Sequence, residues 1–256
     1  MSGDLDAADV GEALRDRPFQ AYPALLSTES AAMAWARIGA PAGAVVVADY
    51  QASPRGRGGL PWTVESGHGL GFTLVARPVL PPEREGWPYV AASLAMAETM
   101  GEQARLEWPD TVVAGDDRST LAQLGVYVEL GPNRTDWLTV TVLVVQAQPP
   151  RAGLLATLVA ALERRLEDEA DAVLTAYRSR CLTLGRQVRA RLIPMGHGGP
   201  EVNGAAVDVL ADGALVVLTA RGSRVAVPPQ NLGLLEDPEA VPELPRDVLR
   251  RLEDRT

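Results

Sequence analysis

The chain contains no lysine. All 24 of its basic residues are arginine, set against 33 acidic residues, and the net charge is −9 over 256 residues. Lysine is therefore excluded from any site the protein builds, and the acidic balance argues against a nucleic-acid-binding surface. A single cysteine, Cys181, excludes an internal disulfide and any multi-cysteine metal site, and reads as a partly buried thiol. The two histidines, His68 and His197, lie far apart without paired carboxylate spacing, so no metal site is expected. His68 reads as a partly exposed structural residue in a loop, with contact to a ligand as the alternative, and His197 as part of a turn. No apolar run approaches about 18 residues, which excludes a membrane-spanning helix. The acidic N-terminus lacks a basic-then-apolar signal, so cytoplasmic residence is expected.

A hydrophobic content of 46% with 22% charged residues is that of a globular protein. The most informative stretch begins at Val45-Val46-Val47, an apolar β-branched run that predicts a buried strand. It breaks into Gln51-Ala-Ser-Pro-Arg55-Gly56-Arg57-Gly58-Gly59, then Trp62, then Gly67, Gly69 and Gly71 before a second strand near Leu70. Glycines let backbone amides approach an anion, and arginine forks grip phosphate or carboxylate in bidentate fashion. A plain solvated Arg/Gly loop would share this composition, and the flanking residues separate the two. Gln51, Arg55, Gly56, Arg57, Gly59 and Trp62 resemble, without a gap, the biotin protein ligase signature Q-x-A-G-R-G-R-R-G-R-x-W. Pro54, Gly58 and Leu60 depart from it.

Other segments continue the resemblance in family order. Ser27-Thr28-Glu29 resembles the family's Ser-Thr-Asn, before a helix expected over Ser30–Ile38; Ser27 or Thr28 would also serve as a plain N-cap. Arg77-Pro78 matches the family's Arg-Pro. Tyr89–Met100 is apolar at helical spacing, with its methionines read as packing. Glu107-Trp108-Pro109-Asp110 resembles the family's Lys-Trp-Pro-Asn, with Glu107 at the lysine position and Asp110 at the Asn. Leu124–Leu130 and Thr139–Val145 predict strands, Leu154–Arg180 a long helical stretch, and Glu167-Asp168-Glu169 its solvated face. Val188–Leu192, Ala205–Val209, Ala214–Leu218 and Arg224–Val227 predict short strands, and Gly204–Val217 resembles the small β-barrel that follows the catalytic domain in many members of the family.

The resemblance implies an α+β fold: a mixed sheet with packed helices, followed by a small C-terminal all-β barrel. The expected divisions are a polar lead-in over 1–20, a ligase-like domain over 21–183, the barrel over 184–236, and a tail over 237–256 forming a short helix. With so few residues ahead of the ligase-like segment, no N-terminal DNA-binding module is expected. Family members activate biotin with ATP and magnesium and pass the acyl group to a lysine of a carrier domain. By resemblance, Gln51 reaches the ligand, Arg55 and Arg57 neutralise carboxylate and phosphate, and Trp62 packs on adenine. Ser27, Thr28, Gly56, Gly59, Gly67 and Gly69 complete the ligand site.

Glu107 is the gravest departure. Losing a preorganised cationic donor costs roughly 3–4 kcal/mol of transition-state stabilisation. A carboxylate there either repels the ligand's charge, by roughly 4 kcal/mol at about 4 Å, or is kept protonated by burial. Three alternatives stay open: an impaired homologue (a pseudoenzyme) that binds a biotin-like acid or its adenylate, an active ligase using an arginine such as Arg105 or Arg118, and a non-enzymatic carrier-docking module. The expected partners are a small acid, a nucleotide and a biotin-carrier-like domain. Nucleic acid and membrane are not expected, and a homodimer is left open.

Overall fold

The computed structural model describes residues 4–62, 67–195 and 199–238. In chain order the elements of its larger part are α1 (Ala7–Leu14), β1 (Phe19–Leu25), α2 (Thr28–Arg37), β2 (Val45–Gln51), β3 (Leu70–Ala76), α3 (Trp87–Met100), β4 (Ala104–Glu107), β5 (Thr111–Ala114), β6 (Thr120–Leu130), β7 (Thr135–Val144), α4 (Arg151–Glu167) and α5 (Ala170–Arg180). A seven-stranded sheet runs in the order β1-β2-β3-β7-β6-β5-β4. Only β1 and β2 are parallel, joined through α2; the remaining ladders are antiparallel.

Burial follows from the strand patterns. Val45, Val46 and Val47 are fully buried because β2 is covered on both faces. One face meets α3, whose residues from Trp87 to Ala97 are all buried, together with α4 and α5. The other face is covered by α2 through Ala32 and Ala36, packed with Val46, Val75 and Trp137. Along β7 the two faces alternate, with Leu138, Val140, Val142 and Val144 in the larger core and Thr139 and Thr141 on the α2 side. Pro23 in edge strand β1 withholds an N–H and blunts that edge against further pairing.

The helical stretch expected over Leu154–Arg180 is divided into two helices. Asp168 leaves helical geometry at φ −66°, ψ 157°, and α5 restarts after Glu169. Asp168 also pairs with Arg165, which reaches across to Glu98 on α3. The acidic trio is thus a break between helices, and the mixed-charge pattern did not distinguish a break from a solvated face.

Beyond α5 come β8 (Gln187–Leu192), β9 (Glu201–Val209), β10 (Leu215–Leu218), β11 (Arg224–Val227) and β12 (Leu232–Glu236). They form a five-stranded antiparallel sheet in the order β11-β10-β9-β8-β12. The chain is α+β with a small C-terminal all-β unit. β12 escapes the sequence pattern because it returns beside β8 after a 3-10 turn at Pro229–Asn231. His197 and residues 239–256 lie outside the described residues.

The two sheets are joined at the turn after β4. The indole Nε1 of Trp108 donates to the Gly213 carbonyl at 3.0 Å, and the Trp108 amide donates to Thr183 Oγ1 at 2.9 Å. Arg178 adds an ion pair to Asp208 at 2.8 Å.

Candidate functional site

The parallel strands β1 and β2 end side by side, with Leu25 opposite Gln51, and α2 begins between them. Ligands bind in such crevices because strand ends leave space and helix N-termini leave N–H groups unpaired. Ser27 is the N-cap, its Oγ accepting from the Ser30 amide at 3.4 Å. Gln51 Oε1 accepts from the Thr28 amide at 2.8 Å and from Thr28 Oγ1 at 3.0 Å. Thr73 Oγ1 donates to Thr28 Oγ1 at 3.0 Å and lies 3.0 Å from Thr141 Oγ1. Gln51 is thereby fixed over Gly71, where an added Cβ would lie 2.3 Å from its amide nitrogen.

This polar chain is almost completely enclosed, and its two sheet threonines went unread in the sequence. The signal was present: period-two threonines in the apolar strands Leu70–Ala76 and Thr135–Val144. Thr139, next on the same face, has a buried hydroxyl without a partner.

From Gln51 the chain enters the glycine-arginine loop, which folds across β6. Gly125 makes this possible: a Cβ there would stand 2.8 Å from the Gly56 carbonyl carbon and 2.9 Å from the Arg57 amide nitrogen. The loop closes on itself through Gly56 N–H to Leu60 O at 2.8 Å, Trp62 N–H to Pro54 O at 3.1 Å, and Arg55 to Gly59 O at 3.0 Å. Gly59 turns at φ +74°, a region that favours glycine. The indole of Trp62 packs against Gly56, where any Cβ would penetrate the ring. Gly67 is exposed, and the Gly69 carbonyl accepts from buried Arg151 at 3.0 Å, which also pairs with Asp4 and Asp49. His68 is exposed, and its carbonyl accepts from the Ala147 amide.

The two arginines have different surroundings. Arg55 is exposed, and its charge reaches Glu29 in the first turn of α2. Burial pushes the Glu29 carboxyl up to about 7, with Arg55 opposing the shift. Below that pH, Glu29 is neutral and able to donate a hydrogen bond. Arg57 is only 7% exposed. Its Nε donates to Asp110 Oδ2 at 2.7 Å, and its NH1 donates to the Leu232 carbonyl of β12. Burial pushes the Asp110 carboxyl up, against the pull of Arg57. Tyr89, whose hydroxyl donates to Val126 O at 3.2 Å, is a close neighbour, and burial pushes its phenol up as well. The sequence marked Asp110 only as a departure; its pairing with Arg57 depends on the loop's tertiary placement.

Glu107 is not the isolated carboxylate that the substitution suggests. Arg118, in the turn before β6, donates to it through Nε at 2.9 Å and also through NH2. Arg186 approaches to 4.0 Å. These groups line a cleft of about 290 Å³ that Arg57 and Asp110 share with β12. Arg105 is spent on the carbonyls of Glu102 and Ala104. Arg77, by contrast, serves the fold by donating to the Ala36 and Ala40 carbonyls at the end of α2.

The polar crevice anchored by Gln51, with the arginine-glycine loop that follows it folded across β6, is carried on an α+β fold. No family model matches the chain. The biotin–[acetyl-CoA-carboxylase] ligase of Mycobacterium tuberculosis is 31% identical over 200 residues, covering 68% of this chain and 72% of that protein. The bifunctional ligase/repressor BirA of Bacillus subtilis is 26% identical over 230 residues, covering 78% and 69%. The biotin protein ligase of Aquifex aeolicus, solved with biotin and ATP, superposes with a TM-score of 0.63 at 20% identity over 86% of this chain and 99% of that one. The chain belongs to the biotin protein ligase family.

Proposed function

We propose that this chain binds a biotin-like acid and its adenylate between the ends of β1 and β2, with adenylation and transfer to a carrier lysine impaired. The observation that carries this is the contrast between two parts of one site. Gln51 and Thr28 are hydrogen-bonded in the crevice, and Arg55, Arg57 and Trp62 lie on the loop that follows it. Glu107, paired with Arg118 and Arg186, stands by the resemblance of its segment at the family's lysine position. In this reading Gln51 and Thr28 orient the acid, Arg55 and Arg57 balance the charge of carboxylate and phosphate, and Trp62 packs on the base. Ser27, Gly56, Gly59, Gly67 and Gly69 shape the backbone around it.

ATP would supply the adenylyl group. The residues fit its charge, with one condition: Arg57 must first be released from Asp110. Among the described residues no group of three or more His, Cys, Asp or Glu could hold a metal ion. A magnesium ion would arrive with the phosphates, as this cation commonly does. The same reading takes residues 21–183 as the ligase-like domain and 184–236 as the small β domain, with a biotin-carrier-like domain as macromolecular partner.

The pairing of Arg118 with Glu107 also supports a second reading, an active ligase in which arginine serves for lysine. ATP–pyrophosphate exchange with biotin separates the two in wild-type, Glu107→Lys and Arg118→Ala proteins. Impairment predicts exchange near background in the wild type and a rise of about a hundredfold in Glu107→Lys, the scale of one preorganised donor. Exchange by the wild type that is lost in Arg118→Ala would establish the second reading instead.

A further inference from the structure

The cleft between the two sheets gathers four carboxylates, Glu107 at the end of β4, Asp110 in the turn after it and Glu236 and Asp237 at the end of β12, and three arginines from three separate segments. Arg118 comes from the turn before β6, Arg186 from the segment before β8, and Arg57 from the loop over β6. Glu107 engages Arg118 at a partly exposed position, with about 30% of its side chain accessible, while Arg186 lies 4.0 Å from it and pairs with Asp237 at 2.9 Å. Asp110 engages Arg57 where the guanidinium side chain is 8% accessible and the carboxylate 19%.

A guanidinium offers a fixed fork of donors, and a fork that already binds a carboxylate has fewer donors for another anion. In this structure Nε of Arg57 goes to Asp110 and NH1 to the Leu232 carbonyl. Thr111 Oγ1 donates to the second Asp110 oxygen at 3.4 Å, which helps hold the carboxylate in place. An incoming phosphate or carboxylate meets an arginine whose charge is already balanced. It must displace Asp110 or bind beside an uncompensated negative charge. Both routes weaken binding of anions and leave binding of uncharged ligands nearly unaffected.

We infer that Asp110 is a specificity-determining residue: its carboxylate occupies Arg57 as an internal anion and sets the protein's affinity for anionic ligands below that for otherwise equal uncharged ones. The inference rests on the assignment of Arg57 to the ligand site. The Leu232 carbonyl gives the device a second consequence, because Arg57 moves toward a ligand only by leaving β12. Occupation of the site by an anion therefore loosens the junction between loop and C-terminal sheet.

The test is a four-protein calorimetric cycle: wild type, Asp110→Asn, Arg57→Ala and the double variant. Each is titrated with a non-hydrolysable phosphodiester analogue of biotinyl-adenylate and, separately, with uncharged biotinamide. Asp110→Asn keeps the size and an acceptor oxygen while removing the charge, and Asp110→Ser replaces it if the Asn variant does not fold. Removing the charge is expected to tighten binding of the phosphodiester about tenfold and to leave biotinamide within twofold. In the Arg57→Ala background, burial without the guanidinium favours the neutral Asp110 acid, and the same substitution is expected to change nothing. Equal or weaker phosphodiester binding by Asp110→Asn, with binding lost in Arg57→Ala, would overturn the inference and leave the assignment of Arg57 standing. A gain of equal size for both probes, or a gain that persists without Arg57, would also overturn it. No binding of either probe by any of the four proteins would overturn the assignment itself, and the inference with it.

Discussion

At the scale of single residues, the charged groups of the site are defined by burial as much as by sequence. Glu29 has a carboxyl raised to about 7 by burial, with Arg55 pulling the other way. A raised carboxyl contributes stability that is fully present below its ordinary value near 4.5 and is lost as pH rises through about 7. Glu29→Gln is therefore expected to match the wild type near pH 5 and to melt higher near pH 8. Each 1 kcal/mol moves the midpoint by about 2–4 °C in a chain of this size. Scanning calorimetry across that range checks it; a constant difference at both pH values would contradict it. Cys181 is 8% exposed with its thiol pushed up by burial, so it is expected to resist alkylation at pH 7.5 until the protein unfolds. Labelling by iodoacetamide before the unfolding transition would contradict that.

At the scale of elements, the glycine-arginine loop owes its position to a strand it does not neighbour in sequence. Gly125→Ala would drive a methyl group into the Gly56 and Arg57 backbone. The expected result is a displaced loop, ligand binding weakened by about tenfold or more, and a stability loss of about 1–3 kcal/mol, the usual cost of overpacking. Binding and denaturant unfolding measured together test this, and unchanged affinity would contradict the placement. The loop itself was legible because its residue types at fixed spacing resemble a known signature. Gly125 was not, because its constraint arises only when two distant segments touch. The same holds for Thr73 and Thr141, whose alternation is visible in sequence although their link to Gln51 through Thr28 is not. The break at Asp168 was also hidden, since α4 and α5 continue one apolar periodicity across it.

At the scale of the whole molecule, the turn at Trp108 and the strand β12 bind the small sheet to the large one. Trp108→Phe removes the hydrogen bond to the Gly213 carbonyl while keeping most of the packing. A loss of about 1–2 kcal/mol in urea unfolding is expected, more than an exposed hydrogen bond would give, because the carbonyl is left buried without a partner. The order of segments was readable from the chain. The junction was not, since Arg57, Asp110 and Leu232 lie far apart in sequence and meet only in the folded protein. In the proposed reading, that junction is where the ion-paired Glu107 stands in place of the family's lysine. The account as a whole turns on whether the crevice and its loop still hold an acyl-adenylate. Calorimetric titration of the wild type and of Arg57→Ala with the phosphodiester analogue decides it most directly. Saturable binding by the wild type, weakened about a hundredfold in a folded Arg57→Ala protein, is the predicted result. Equal binding by both proteins, or none by either, would contradict it.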